Sequence, residues 1–240
     1  MSALLRPLAR LIPDGLPLPI LRGPAAGGRW YSGAAPGPSK GLSVLWNRSE
    51  PEQLAAAAEM SRDAESCFDI GAHAGLYSLV FARHAWRVVA FEPWPRNIAW
   101  LHRTLEANAV RNVTVTPWAV SGETGTLSFR EGPHNSMGRL DAGGEHPVFA
   151  VSLRDFLALS GLRPSALKID VEGAETDVLR GGLDYLRERR PGLLLSVHGA
   201  KRRTECLTLA RELGYARIEP LNARDPERAD EFRIEASPAT

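Results

Sequence analysis

Two carboxylates stand at the ends of two apolar runs early in the chain, and the residues between them can seat a nucleoside. Asp69 lies in Cys67-Phe68-Asp69-Ile70, Glu92 follows Val88-Val89-Ala90-Phe91, and Gly71-Ala72-His73-Ala74-Gly75 comes between. A strand, a glycine turn, a helix and a second strand ending in an acid make the first half of a nucleoside-binding α/β unit. Glycine lets the backbone turn sharply and a ligand come close. An acid after the second strand is placed to accept hydrogen bonds from ribose hydroxyls. Together these residues point to an adenosine-containing cofactor.

The loop spacing separates the cofactors. A dinucleotide turn reads G-x-G-x-x-G and sets a pyrophosphate on a helix N-terminus. Here it reads Asp69-x-Gly71-x-x-x-Gly75, and no G-x-x-x-x-G-K-S/T phosphate loop occurs. A negative charge at Asp69 repels a pyrophosphate but suits the ammonium of S-adenosylmethionine. Ligands of open α/β sheets sit outside the carboxyl ends of the strands. That rule selects Asp69, Glu92, Ala119, Asp170 and His198. On this reading Asp69, Gly71, Ala72, His73 and Gly75 hold the methionine part of the cofactor, and Glu92 holds the ribose.

Residues for catalysis come later in the chain. Lys168-Ile169-Asp170-Val171-Glu172 alternates polar and apolar side chains, so strand period puts Lys168, Asp170 and Glu172 on one side. A charge inside a parallel strand is costly unless paired, and Lys168 with Asp170 reads equally as a structural ion pair. The functional reading sets Asp170 beside the transferred methyl, where it orients or deprotonates an acceptor hydroxyl. Glu172 and Glu175 flank a helix start, where a carboxylate stabilises the N-terminal dipole, and Glu175 is assigned that role. His198 ends Leu193-Leu194-Leu195-Ser196-Val197. It serves either as a general base, its ordinary pKa lying near working pH, or as a satisfied strand-end histidine. Asp170, Glu172 and His198 could also ligate a divalent metal, although their spacing is not diagnostic and no metal is expected. His134-Asn135-Ser136-Met137-Gly138-Arg139 reads as a loop able to close over a polyhydroxyl acceptor. Trp30, Trp46, Trp94, Trp100 and Trp118 offer flat surfaces for a sugar or aglycone.

The chain resembles the FkbM-type S-adenosylmethionine-dependent methyltransferases. Four blocks carry the likeness: residues 68–79; Ala90-Phe91-Glu92-Pro93-Trp94-Pro95-Arg96-Asn97 with Leu105 and Asn108; Asn135-Ser136-Met137-Gly138; and residues 167–175 with Leu179 and Gly181. His73 departs from the asparagine more usual in that family, and either side chain can hydrogen-bond in the loop. The resemblance implies a Rossmann-like class I methyltransferase fold, S-adenosylmethionine as cofactor, and Ala119 near the adenine. It also implies methyl transfer to a hydroxyl of a sugar or other small metabolite.

The elements that must position these residues alternate. Strands are expected at 66–70, 87–91, from 113 through 120, at 126–129, 166–170, 192–198 and 215–218. Helices are expected at 51–60, 75–83, 97–107, 151–159 with Ser152 as cap, from 174, and at 204–213. This is an α/β doubly wound, mostly parallel sheet. Residues 44–221 form the methyltransferase domain. Residues 1–43 form an arm, helical over Leu4 to Ile12 and then mostly irregular, free to act as a lid or dimer contact. Residues 222–240 form a polar tail expected to fray. A length of 240 residues suits one such domain. A net charge of +1 advertises neither nucleic acid nor an anionic membrane as partner. The N-terminal apolar residues are too interrupted for a signal peptide or span, and Cys67 and Cys206 match no zinc or disulfide spacing, which suits a reducing cytoplasm. Two alternatives stand: a nucleotide-binding oxidoreductase, disfavoured by the missing third glycine and by Asp69, and a non-catalytic cofactor-binding partner subunit. A homo-oligomer is left open.

Overall fold

The structure, a computed structural model, describes residues 11–35, 39–132, 138–223, 225 and 227–236. The expected helix over Leu4–Leu8 and the loop residues His134–Met137 lie outside them. Chain order begins with a short antiparallel pair, β1 (Pro17–Pro19) and β2 (Arg29–Tyr31), where mostly irregular chain was expected. A 3-10 turn (Leu42–Trp46) and α1 (Pro51–Met60) lead into β3 (Ser66–Ile70). Then come α2 (Leu76–Ala82), β4 (Arg87–Phe91), α3 (Pro95–Ala107) and β5 (Val113–Thr116). An insertion follows, made of β6 (Ala119–Ser121), β7 (Gly125–Arg130), β8 (Arg139–Leu140) and β9 (His146–Ser152). The chain finishes with α4 (Leu153–Ser160), β10 (Ala166–Ile169), α5 (Glu175–Arg180), α6 (Leu183–Arg189), β11 (Gly192–Ser196), α7 (Ala200–Glu212), β12 (Arg217–Pro220) and β13 (Glu231–Glu235).

Among the described residues seven strands make the central sheet, in the order β12-β13-β11-β10-β3-β4-β5. The run from β11 to β5 is parallel, and β13 is antiparallel to both its neighbours. Parallel strands covered on both faces read as near-continuous apolar runs. Accordingly Phe68, Ile70, Val89, Phe91, Leu167, Ile169, Leu193 and Leu195 join the core cluster on one face. Cys67, Val88, Ala166 and Leu194 join the cluster on the other, with Trp30, Leu54 and Phe81. Asp69 and Lys168 interrupt these runs, and they are register partners on β3 and β10. The chain reverses its winding between those two strands, the switch point where open α/β sheets take their ligands.

The N-terminal arm is clipped to this body. Asn108 accepts from the Arg29 amide at 2.7 Å and donates to the Arg29 carbonyl at 2.9 Å, while Arg103 lies over the rings of Tyr31 and Trp100. Trp30 is 2% exposed.

Three expectations need correction. The third strand does not reach Val120: Pro117 and Trp118 break it, and β6 leaves for a second sheet of order β6-β9-β7-β8. Val151 belongs to β9 rather than a helix, although Ser152 does cap α4 by accepting from the Asp155 amide at 3.1 Å. The segment from Asn222 does not simply fray, because β13 inserts between β11 and β12 and buries Phe232 and Ile234 completely. Among the described residues no helix is long and apolar enough to cross a membrane.

Because Phe232 is wholly buried in the central sheet, Phe232→Ala should lower unfolding free energy by roughly 3–5 kcal/mol, the usual cost of such a cavity. Denaturant unfolding measures this, and a loss below about 1 kcal/mol would be incompatible with a packed β13.

Candidate active site

A cavity of about 390 Å³ opens at the carboxyl ends of β3, β4, β10 and β11, a size typical of small-molecule sites. Gly71, Ala72 and His73 form one wall, and Gly71 shows why the loop needs glycine. Its φ is +78°, and a Cβ there would sit 1.8 Å from the Asp170 carbonyl oxygen. The loop after β3 thus lies directly on the end of β10. Three non-glycine residues of the wall also take left-handed backbone: Glu50 (φ 51°), His73 (φ 49°) and Glu172 (φ 54°). Such conformations cost free energy and gather at functional sites.

Glu92 is 5% exposed. Its carboxylate accepts from the His73 amide at 2.8 Å, the Trp94 amide at 3.0 Å and the Asn97 side chain at 3.2 Å. Burial pushes its pKa up, and these three donors oppose the rise. The result is a fixed acceptor at the end of the second parallel strand. Burial, helped by the charge of Lys168, lowers the His73 pKa to about 4, so its imidazole stays neutral.

Lys168 is 3% exposed and ties the loop to both strands. Its ammonium donates to the Gly71 carbonyl at 2.6 Å and lies 3.5 Å from Asp69 and 3.6 Å from Asp170. Burial alone would lower its pKa, but Asp170 and Asp69, with Glu50 and Glu231 behind them, turn the shift upward. Asp69 faces this ammonium and the Ser78 hydroxyl at 2.6 Å, and it does not line the cavity. Gly75 also stays out of the wall, because it makes the turn into α2.

Asp170, Glu172 and His198 meet across the ends of β10 and β11. His198 Nε2 is 3.3 Å from Glu172 and 3.9 Å from Asp170, and Nδ1 is 2.8 Å from Glu175. Glu175 is wholly buried and also accepts the Gly173 amide at 2.8 Å. Burial would lower the His198 pKa, yet the Glu175 hydrogen bond and the charges of Asp170, Glu172 and Glu175 raise it to about 9. Burial likewise raises Glu172, while His198 pulls it down.

Of the residues selected from sequence, Gly71, Ala72, His73, Glu92, Ala119, Asp170, Glu172 and His198 share one cavity. Asp69 and Gly75 support it from behind. The ion pair of Lys168 with Asp170, one of the two readings of that segment, is present, and Lys168 pairs with Asp69 as well. Glu175, assigned to a helix dipole, does stand in the first turn of α5, and it also holds the histidine. Sequence reasoning passed over Glu50, Tyr77 and Glu231. Tyr77 donates to Glu50 at 2.5 Å, and Glu231 accepts from the Ser196 hydroxyl at 2.7 Å. The alternation of Phe232 and Ile234 between charged residues was the available signal for Glu231. Trp30 and Trp118 line the cavity, whereas Trp94 stacks on Phe129 at 5.1 Å.

Numbered by appearance, the central strands run 3-2-1-4-5-7-6 with the seventh antiparallel. With the glycine loop and strand-end acid at the switch point, this is the Rossmann-like fold of class I methyltransferases. The chain belongs to the FkbM methyltransferase family, whose domain, described as Methyltransferase FkbM domain, matches residues 69–217. The hexuronic acid methyltransferase AglP of Haloferax volcanii is 29% identical over 146 residues, which are 58% of this chain and 59% of that protein. The chain therefore spans less than two thirds of this relative's length. The methyltransferase FkbM of Methylobacillus flagellatus has a crystal structure that matches at TM-score 0.53 and 21% identity, covering 72% of this chain and 44% of that one.

Two measurements test the electrostatics. Burial raises the Glu231 pKa from 4.5 to about 8. A raised folded-state pKa gives stability that is full below pH 4.5 and lost as pH climbs through about 8. Glu231→Gln should remove that loss, so urea midpoints of variant and wild type should diverge across the window, and parallel curves would refute it. Glu175→Gln should lower the His198 pKa below the value near 9, read by NMR of the imidazole. An unchanged titration would mean that Glu175 does not hold the ring.

Proposed function

We propose that the protein transfers a methyl group from S-adenosylmethionine to an oxygen of a sugar or similar small metabolite. The observation that carries this reading is that one cavity holds both the Glu92 carboxylate, fixed by three donors, and the Asp170–Glu172–His198 cluster. Family membership supports the transfer, and the relative named for a hexuronic acid supports a sugar acceptor.

When bound, S-adenosylmethionine supplies an electrophilic methyl on a sulfonium. Glu92 would accept the ribose hydroxyls, with Ala119 toward the adenine and Gly71, Ala72 and His73 toward the methionine part. Asp69 serves through Lys168 rather than by contact. The cavity wall carries the Glu50, Glu92, Asp170 and Glu172 carboxylates beside Lys168, Arg139 and His198, while burial keeps Glu231 largely protonated at neutral pH. Asp170, Glu172 and His198 then form the acceptor end, where the hydroxyl is oriented in line with the methyl and its proton removed. Positioning supplies most of the rate in such a displacement.

Calorimetric titration with S-adenosylmethionine, and separately with NAD, tests this. Wild type should bind the former, and Glu92→Ala should weaken binding by roughly ten- to a hundred-fold, the worth of hydrogen bonds to a charged group. A folded protein that binds NAD and not S-adenosylmethionine would sink the proposal in favour of hydride transfer.

A further inference from the structure

The acceptor end has a feature that methyl transfer alone does not call for. His198 Nε2, a Glu172 oxygen and an Asp170 oxygen all lie within 4.8 Å of one another. The closest approaches are 3.3 Å from Nε2 to Glu172 and 3.9 Å to Asp170. A cation bonded at about 2.1 Å keeps tetrahedral donors about 3.4 Å apart, cis octahedral donors about 3.0 Å and trans donors about 4.2 Å. These two separations fall inside that span, and the third is bounded by 4.8 Å.

Two features of this cluster bear on what it can hold. The first is the imidazole's attachment. Its Nδ1 is 2.8 Å from the wholly buried Glu175, which is itself anchored by the Gly173 amide. A carboxylate on one ring nitrogen fixes tautomer and orientation and leaves the other as a ligand, the usual support of a metal-bound histidine. The second is charge. Asp170, Glu172 and Glu175 bring three carboxylates to one imidazole, and Lys168 is shared between Asp170 and Asp69. Among the described residues, the Asp170 and Glu172 carboxylates meet their cations only at 3.3–3.9 Å, as ion contacts rather than close hydrogen bonds. Their side chains remain 33% and 28% exposed to the cavity.

We propose that Asp170, Glu172 and His198 Nε2 form a divalent-cation site that holds the acceptor oxygen. The inference rests on the methyl-transfer reading for its purpose but not for its existence. One nitrogen and two carboxylate donors suit Mn²⁺ or Zn²⁺, and Mg²⁺ with more water. A hydroxyl held against the cation gives its proton to solvent more readily. Its oxygen then forms the new C–O bond as the S–C bond breaks, with that electron pair remaining on sulfur. His198 in this arrangement is a ligand, and Glu175 is the positioning residue behind it.

The test is Mn²⁺ titration of the full chain without cofactor or acceptor, followed by electron paramagnetic resonance of the free ion. Wild type should bind one equivalent, and Asp170→Asn and Glu172→Gln, each checked for cooperative unfolding, should weaken binding at least tenfold. Calorimetry with Zn²⁺ covers a preference for the softer ion. Absence of saturable binding of either metal, or binding indifferent to both substitutions, would overturn the site. Neither result touches the methyl-transfer reading, which stands or falls on S-adenosylmethionine binding by the same preparations.

Discussion

The buried Lys168 ammonium is the interaction on which the site depends. An ammonium at 3% exposure is tolerable only when its charge and its three donors are all met. The fold meets the charge from both sides of the switch point, with Asp69 across the register on β3 and Asp170 after β10, and it meets donors with the carbonyls of Gly71 and Ile70. Tyr77 adds its ring face at 5.2 Å. One side chain therefore sets the distance between the glycine loop and the acidic end of β10. Replacing Gly71 and losing Lys168 would disturb the same contact, the first by steric overlap with the Asp170 carbonyl and the second by leaving Asp69 buried without a counter-charge.

This arrangement also explains why Asp69 works differently from its sequence appearance. A strand-end acid beside a glycine loop looks like a ligand group, and only the register with β10 shows that its partner is Lys168. Its neighbours occupy it: Ser78 at 2.6 Å and the ammonium at 3.5 Å. The negative groups that do face the cavity come from elsewhere, including Glu50 ahead of α1 and Glu231 at the start of β13. Those two lie 181 positions apart in the chain numbering, and nothing local in either segment announces a shared site.

Local patterns were legible where the chain is regular. The helix at Pro51–Met60 and the strands at Ser66–Ile70 and Arg87–Phe91 fall on the expected residues, because turn chemistry and apolar runs agree there. The loop residues Gly71 to His73 and the acid Glu92 were found for the same reason. Features that depend on distant pairing were not legible. β6 spans three residues and pairs with β9 rather than with the strand before it, so propensity alone extended β5 through it. β13 is mostly charged, and its two apolar residues gain meaning only as the filling between β11 and β12. Glu175 satisfies a helix-start pattern, and its hydrogen bond to His198 arises only when α5 and β11 are brought together.

Both sheets contribute to the cavity wall. The central sheet supplies the glycine loop, Glu92 and the Asp170–Glu172–His198 cluster, each fixed at a strand end by neighbours buried on both faces. The smaller sheet hangs between β5 and β10 and contributes Ala119, Phe129, Arg139 and Leu140 to the opposite wall. Among the described residues its strand β8 spans two residues and pairs with β7 alone. Arg139 is held at its rim by Asp141 at 3.3 Å, which Arg130 also grips. None of these four residues takes part in the Lys168 network, so this wall is built independently of it.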